Sequence, residues 1–180
     1  MITLLPLILL MLSMPLFPNS NLSLHALKDL GDLSFFLGIQ ATRDSNGLHL
    51  HQGKYVTYLL RQSDPLLDPT KYRHIVGALQ YCMLTRPDIV YSVNQLCQFL
   101  HSPTSVYMTA AKCALRYLKG TLHYGLYYTP SSLKLNVFSD FDWAGSPDDK
   151  KSTTGYAIYL CPCLISWAAK KQPIVAWSSM

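Results

Sequence analysis

Glutamate is absent from this sequence, in which all ten acidic residues are aspartates. A mechanism that needs a glutamate therefore cannot be completed by this chain alone. Charge is scarce as well, since charged residues make up 14% of the 180 positions while hydrophobic residues make up 49%. That balance excludes a disordered tail, and the length suffices to bury a core in one ordinary domain or two small ones.

A disulfide framework is not indicated, because the five cysteines are odd in number and irregularly spaced. Cys161 and Cys163 are separated by a single residue and have no second pair of ligands, so the spacing does not predict a zinc site. We predict reduced thiols in the core of an intracellular protein of the cytoplasm or nucleus.

Charge is also missing from the first seventeen residues. A signal peptide normally has a basic start and a small-residue cleavage site, and neither is evident here. A membrane-spanning helix needs about twenty apolar residues, whereas this run is shorter and contains Pro6 and Pro15. We therefore predict neither secretion nor membrane insertion, with membrane association through residues 1–17 left open as the alternative.

Lysine and arginine exceed the acids by five, and the whole excess lies in residues 54–120. A mild basic excess is compatible with nucleic-acid binding without requiring it. The helix predicted over residues 104–120 carries Lys112, Arg116 and Lys119 at i, i+4 and i+7, on one face. Such a stripe is either a solvated charged face or a face that follows phosphates, and the residues alone do not decide between them.

Period-two patterns at both ends of the chain predict strands. An Asn46-Gly47 turn between residues 33–42 and 48–60 predicts a β-hairpin. On the second strand, His49 and His51 alternate and are interpreted as exposed-face residues rather than metal ligands, because no third ligand is nearby. The later strand predictions are residues 123–129, 133–145, 153–160, 164–170 and 173–177.

Between these strands, the sequence predicts a loop over residues 61–71 and then three helices. The first helix, residues 72–84, has an apolar stripe for the core. On its opposite side stand Arg73, Gly77 and Tyr81, four residues apart. A glycine inside a helix costs about 1 kcal/mol relative to alanine, so it indicates either helix–helix packing or the close approach of a ligand.

Two aspartates, Asp140 and Asp142, lie two positions apart in the strand-like stretch FSDFDWAG. In an extended chain both side chains point to one face, where paired carboxylates can hold a divalent metal. They are also common residues at a strand end.

Several stretches in this order and spacing resemble the polyprotein of copia-type long-terminal-repeat retrotransposons. They are LKDLGDLSFFLGIQ (27–40), YRHIVGALQYCMLTRPDIVYSVNQLCQFL (72–100), AAKCALRYLKGTLHYGLYY (110–128), FSDFDWAG (138–145), KKSTTGYAIYL (150–160) and ISWAAKKQPIVAWSS (165–179). The resemblance implies an α+β fold: a hairpin at the end of a reverse-transcriptase palm, a three-helix thumb-like unit, and the first strands of a truncated ribonuclease H-like sheet. The implied domains are an apolar leader (1–26), the palm end (27–60), the thumb and connection helices (61–130) and the start of ribonuclease H (131–180).

The resemblance also implies residue roles. Phe36 and Gly38 lie in the part of the palm that grips the primer. Arg73, Gly77, Gln80 and Tyr81 lie on the thumb helix that follows the minor groove of a primer–template duplex or RNA–DNA hybrid. Glycine permits close backbone approach and arginine binds phosphate, so this assignment is physically sensible. The resemblance does not decide whether the Lys112, Arg116 and Lys119 stripe faces the duplex or the solvent.

Asp140 corresponds to a metal-binding aspartate of the ribonuclease H strand, Asp142 is a second member of that motif, and the expected cofactor is Mg²⁺. Two-metal hydrolysis needs several carboxylates, and the family's next one is a glutamate beyond WSSM. The family's polymerase aspartate pair does not precede Leu27. We therefore expect an inactive fragment that could pair with complementing polyprotein fragments. The alternatives are a non-catalytic nucleic-acid-binding module and an unstable product.

Overall fold

A computed structural model of the chain describes residues 34–62, 69–130, 134–142, 145 and 149–175. Within these ranges the fold is α+β, with four α-helices, a 3-10 helix at Pro87–Ile89 and two antiparallel sheets. The helices are α1 (Gly53–Gln62), α2 (Pro69–Cys82), α3 (Val90–Cys97) and α4 (Ser105–Gly120). The strands are β1 (Phe35–Phe36), β2 (Ile39–Arg43), β3 (Leu48–His51), β4 (Gly125–Tyr128), β5 (Leu135–Phe141), β6 (Thr153–Leu160) and β7 (Cys163–Lys171).

The predicted hairpin forms between β2 and β3, with Thr42 opposite His49. Its turn is closed by Asp44, whose Oδ1 accepts the backbone N–H groups of Asn46 and Gly47, both at 2.8 Å. A second tight turn at Leu37 and Gly38 folds β1 back on β2, and both turn residues have positive φ angles. The stretch predicted as one strand over residues 33–42 is therefore interrupted, and its Leu33 lies outside the described residues.

The prediction of a strand through residue 60 was wrong after His51. Residues 53–62 form helix α1, because burial of Val56 and Leu59 on one helical face gains more than the strand preference of the intervening tyrosines and threonine. The described helical unit accordingly has four helices rather than three, and it begins before residue 61. Of the loop predicted over residues 61–71, residues 61–62 belong to α1 and residues 69–71 belong to α2. Residues 63–68 lie outside the described part.

Two cores organise the described residues. The first lies among the helices, where the fully buried Tyr72 of α2 donates its hydroxyl to the carbonyl of Leu96 at 2.8 Å. The second of the three predicted helices, residues 86–101, forms as the 3-10 helix followed by α3, which ends at Cys97. The core faces predicted for the first two helices are buried at Ile75, Val76, Leu79, Ile89, Val93 and Leu96, while Met83 and Leu100 are half-buried. The second core lies beneath the first sheet, where Leu50 and Leu126 pack with Cys163 of β7.

The first sheet has the order β1-β2-β3-β4, so β4 returns from the helices to pair with β3. The strand predicted over residues 123–129 thus belongs with the N-terminal hairpin and not with the later strands of the chain. The second sheet has the order β5-β6-β7. Strand β7 contacts the first sheet through a hydrogen bond from the Tyr128 hydroxyl to the carbonyl of Leu164. Residues 173–175 are not a strand, while 176 and 177 lie outside the described residues.

All five cysteines are free, as predicted. Cys82 and Cys163 are buried, but Cys113 is exposed, so the prediction that the thiols lie in the core is wrong for that residue. Burial raises the pKa of Cys82 to about 12, which keeps this thiol protonated and unreactive at neutral pH. None of the described helices is long and apolar enough to cross a membrane.

Candidate nucleic-acid interface

A groove of about 850 Å³ runs between α1 and α2, and we call it the α1–α2 groove. Its walls combine aromatic and basic side chains, an arrangement suited to a nucleic-acid backbone and the sugar edges beside it. The lining residues are Tyr55, Tyr58 and Leu59 from α1, and Thr70, Lys71, Arg73, His74, Ile75, Gly77, Ala78 and Tyr81 from α2. Three of the four residues predicted on the outer face of this helix, Arg73, Gly77 and Tyr81, thus meet in one groove.

Gly77 is exposed on the wall of the α1–α2 groove. A Cβ built on it would meet nothing within 4 Å. Tight packing of a second helix therefore does not explain this glycine among the described residues, although packing was the alternative that the sequence left open. Because Gly77 has no side chain, another molecule can approach the helix backbone closely at this position.

Tyr81 connects the groove to the hairpin. Its hydroxyl donates a hydrogen bond to the carbonyl of Leu37, and its ring packs edge-on against Tyr55 with the centroids 4.9 Å apart. A Cβ on Gly38 would lie 3.2 Å from the Tyr81 ring, so a larger residue there would crowd it. The structure thus brings Gly38 and Tyr81 together, and it places Phe36 at the same turn with 40% of its surface exposed.

Arg73 is exposed, and its Nε donates to the carbonyl of Leu100 at 3.0 Å. A guanidinium has five N–H donors, so this bond orients the group while leaving most of its donor capacity for a phosphate. Gln80 points elsewhere, since its Nε2 lies 3.1 Å from the sulfur of Cys97 and it does not line the α1–α2 groove. The groove therefore contains Arg73 but not Gln80.

Sequence reasoning missed the α1 side of the groove because it assigned residues 53–60 to a strand. Tyr55 and Tyr58 come from that helix, and Lys71 and His74 of α2 were also left out of the predicted site. The spacing of the apolar residues Tyr55, Val56 and Leu59, which recur with a helical period, was the signal that could have found α1.

The basic stripe on α4 lies away from the α1–α2 groove. Arg116 and Lys119 are exposed, Lys112 is half-buried, and none of the three lines the groove. This position is compatible with a solvated charged face, and it separates the stripe from Arg73 and Gly77.

Asp140 and Asp142 lie at and just beyond the end of β5, the edge strand of the second sheet, and both are exposed. Each carboxylate is engaged locally: Asp140 accepts the N–H of Phe141 at 2.8 Å, and Asp142 accepts the N–H of Thr153. The described part of the chain contains no group of three or more histidine, cysteine or acidic residues able to hold a metal. Two exposed carboxylates do not fit a magnesium site by themselves.

His49 and His51 lie on the outer face of the first sheet, with their rings stacked 4.9 Å apart. Burial lowers the pKa of both imidazoles, which keeps them neutral at physiological pH. The two histidines alternate with the buried Leu48 and Leu50, so they lie on the sheet face opposite the core, where they are half-buried rather than fully exposed as predicted.

Comparison with curated proteins gives long matches. The chain is 43% identical over 178 residues to the retrovirus-related Pol polyprotein from transposon RE1 of Arabidopsis thaliana, a match that covers 86% of this chain and 12% of that polyprotein. It is 43% identical over 180 residues to an uncharacterized mitochondrial protein of Arabidopsis thaliana, covering 87% of this chain and 75% of that protein. It is 34% identical over 185 residues to the retrovirus-related Pol polyprotein from transposon TNT 1-94 of Nicotiana tabacum, covering 85% and 14%.

The chain thus spans only 12% of the length of the RE1 polyprotein. No protein-family model matches it. No solved structure matches it either.

Proposed function

Because the chain belongs to the family of copia-type retrotransposon Pol polyproteins, we propose that it is a reverse-transcriptase and ribonuclease H segment that binds RNA–DNA hybrid without cleaving it. Residues 27–60 then correspond to the palm end, 61–130 to the thumb and connection, and 131–180 to the start of ribonuclease H. The helical boundary shifts to Gly53, where α1 begins.

The observation that carries the proposal is the open position of Gly77 between Arg73 and Tyr81 in the α1–α2 groove. An RNA–DNA hybrid has a wide and shallow minor groove that displays hydroxyl groups, which a helix can contact along its backbone. Close approach there needs a residue without a side chain, and Gly77 supplies it. Lys71 and Arg73 then lie where they can bind the phosphates at the groove edge.

Catalysis by this chain alone is not part of the proposal. Asp140 and Asp142 fit the first strand of a ribonuclease H site by resemblance, but two carboxylates cannot surround two metal ions. Polyprotein fragments that complement this chain would have to supply the remaining ligands, Mg²⁺ would be bound only in that assembly, and the chain itself would contribute the hybrid-binding surface.

Salt dependence of hybrid binding tests the proposal. With two cations, Lys71 and Arg73, at the backbone, the affinity is expected to fall roughly tenfold between 50 and 200 mM salt, because each phosphate contact releases about 0.9 counterion. The measurement is the fluorescence anisotropy of a labelled blunt RNA–DNA hybrid, with gel analysis to check that the RNA strand remains intact in Mg²⁺. Absence of binding at 50 mM salt, or an affinity indifferent to salt, would overturn the proposal.

A further inference from the structure

A second groove, of about 480 Å³, adjoins the α1–α2 groove on a neighbouring face of α1. It is bounded by the first sheet through Gln40 and His51 and by the exposed face of α1. Three residues of that face, Lys54, Tyr58 and Arg61, are exposed and follow one another at i, i+4 and i+7; we call them the α1 strip. Tyr58 lines both grooves, so the strip adjoins the surface proposed above to hold a hybrid.

The α1 strip is positively charged. Neither Lys54 nor Arg61 forms an ion pair with any residue that the structure describes. The backbone N–H of Lys54 donates to the Gln40 side chain at 2.9 Å, which fixes the start of the strip against the sheet. Two cations that form no ion pair within the described residues create a local field that favours a polyanion.

Exposed aromatic rings accompany these cations. Tyr58 is 58% exposed and Phe35, at the neighbouring hairpin, is 53% exposed. The Lys54 ammonium lies 5.7 Å from the centre of the Phe35 ring. Aromatic side chains interleaved with basic ones form the stacking surface by which proteins bind unpaired bases, whereas the bases of a duplex keep their faces covered by their neighbours.

The length of the strip suits a short piece of strand. Seven residues of α-helix separate Lys54 from Arg61, a rise of about 10 Å. That distance matches about three nucleotides at the axial rise of about 3.4 Å per nucleotide of a stacked strand. The cations stand at the two ends of this span and the Tyr58 ring stands between them, which leaves room for phosphate contacts on both sides of a stacked base.

We propose that the α1 strip is a separate binding site for single-stranded nucleic acid, in which Lys54 and Arg61 bind phosphates and Tyr58 stacks on a base. The inference rests on the proposed function for the class of ligand alone, since the groove and its two cations are different and only Tyr58 is shared. A strand that leaves the hybrid could pass across Tyr58 from one groove into the other.

The test compares two labelled probes, a single-stranded oligomer of twenty thymidines and a blunt RNA–DNA hybrid, each titrated with the full chain. The double variant Lys54→Gln/Arg61→Gln is expected to weaken thymidine-oligomer binding about tenfold, with less than a twofold effect on the hybrid, since the two residues line only the second groove. Tyr58→Ala is expected to weaken it about fivefold or more, and Tyr58→Phe to retain it, because the ring is what stacks.

The matched control removes two exposed cations of α4 in the double variant Arg116→Gln/Lys119→Gln. It is expected to keep thymidine-oligomer binding within twofold of the wild type. Equal losses in the control and the strip variant, or no binding of the oligomer at 50 mM salt, would overturn the inference. If the oligomer binds through the α1 strip but the hybrid does not bind at all, the result would support this site and contradict the function proposed for the α1–α2 groove.

Discussion

Replacing Arg86 with alanine is expected to lower the free energy of unfolding by about 3 kcal/mol. Arg86 is 3% exposed, and its guanidinium makes a bidentate contact with Asp88, with Nη2 2.6 Å from Oδ2. It also donates to the carbonyl and the hydroxyl of Thr121 at 3.0 and 2.8 Å. The residue thus joins the 3-10 helix to the end of α4, and alanine would leave these acceptors without their donor.

Two tyrosines complete this cluster. Tyr117 donates its hydroxyl to Asp88 at 2.7 Å, and the rings of Tyr117 and Tyr124 lie 5.3 and 5.6 Å from the Arg86 guanidinium carbon. Although burial raises the pKa of Asp88, the hydrogen bonds from Arg86 and Tyr117 bring it below the ordinary value. Asp88 is one-third exposed, so water can partly solvate it after the substitution, which places the expected loss at the lower end for a broken buried pair.

Urea denaturation followed by circular dichroism measures this loss. Arg86→Lys keeps the charge but not the planar arrangement of donors. We expect its free energy of unfolding to lie between those of the wild type and the alanine variant. Arg116→Ala is the matched control, because this arginine is exposed on α4 and its removal should change stability by less than about 0.5 kcal/mol. A loss at Arg86 no larger than that at Arg116 would contradict the structural role of the cluster.

Replacing Gly77 with leucine is expected to weaken hybrid binding at least tenfold without unfolding the chain. Nothing lies within 4 Å of the position of a new Cβ, so the side chain would project into the α1–α2 groove rather than into a neighbour. Leucine favours helices more than glycine does, and the variant should be at least as stable as the wild type. The loss would therefore come from blocked approach of the hybrid.

The matched variant is Gly77→Ala. It adds one methyl group and is expected to raise the free energy of unfolding by about 1 kcal/mol, because alanine restricts the unfolded chain and favours the helix. Its hybrid binding should fall only a few-fold, between the wild type and the leucine variant. If both substitutions destabilise the chain instead, Gly77 serves packing; if the leucine variant binds like the wild type, the groove is not the interface.

The sequence predicted correctly those helices and turns that are determined by residues close together in the chain. The Asn46-Gly47 turn predicted the β2–β3 hairpin, the apolar stripe of residues 72–84 predicted α2, and the helix predicted over residues 104–120 forms as α4 and ends at Gly120. The stretch that forms α1 was assigned wrongly because its tyrosines, valine and threonine suit a strand, although its apolar residues also recur with a helical period. Packing of Val56 and Leu59 against the other helices favours the helix. The pairing of β4 with β3 joins segments more than seventy residues apart, which no local pattern reveals.

The candidate site divides in the same way. Arg73, Gly77 and Tyr81 could be chosen from their spacing and from the family resemblance. The groove itself could not be foreseen, because three of its eleven lining residues come from α1, and the contact of Tyr81 with Leu37 depends on the hairpin folding back toward α2. The same is true of the α1 strip, which exists as a stripe only once residues 53–62 are helical.

Titration of the ¹⁵N-labelled chain with a blunt RNA–DNA hybrid, read as amide chemical-shift changes, tests the central claim most directly. The account predicts the largest changes along one face of α2, at Arg73, Gly77 and Tyr81, together with Tyr55 of α1. Changes confined to the Arg116 and Lys119 face of α4, with none at Gly77, would contradict it.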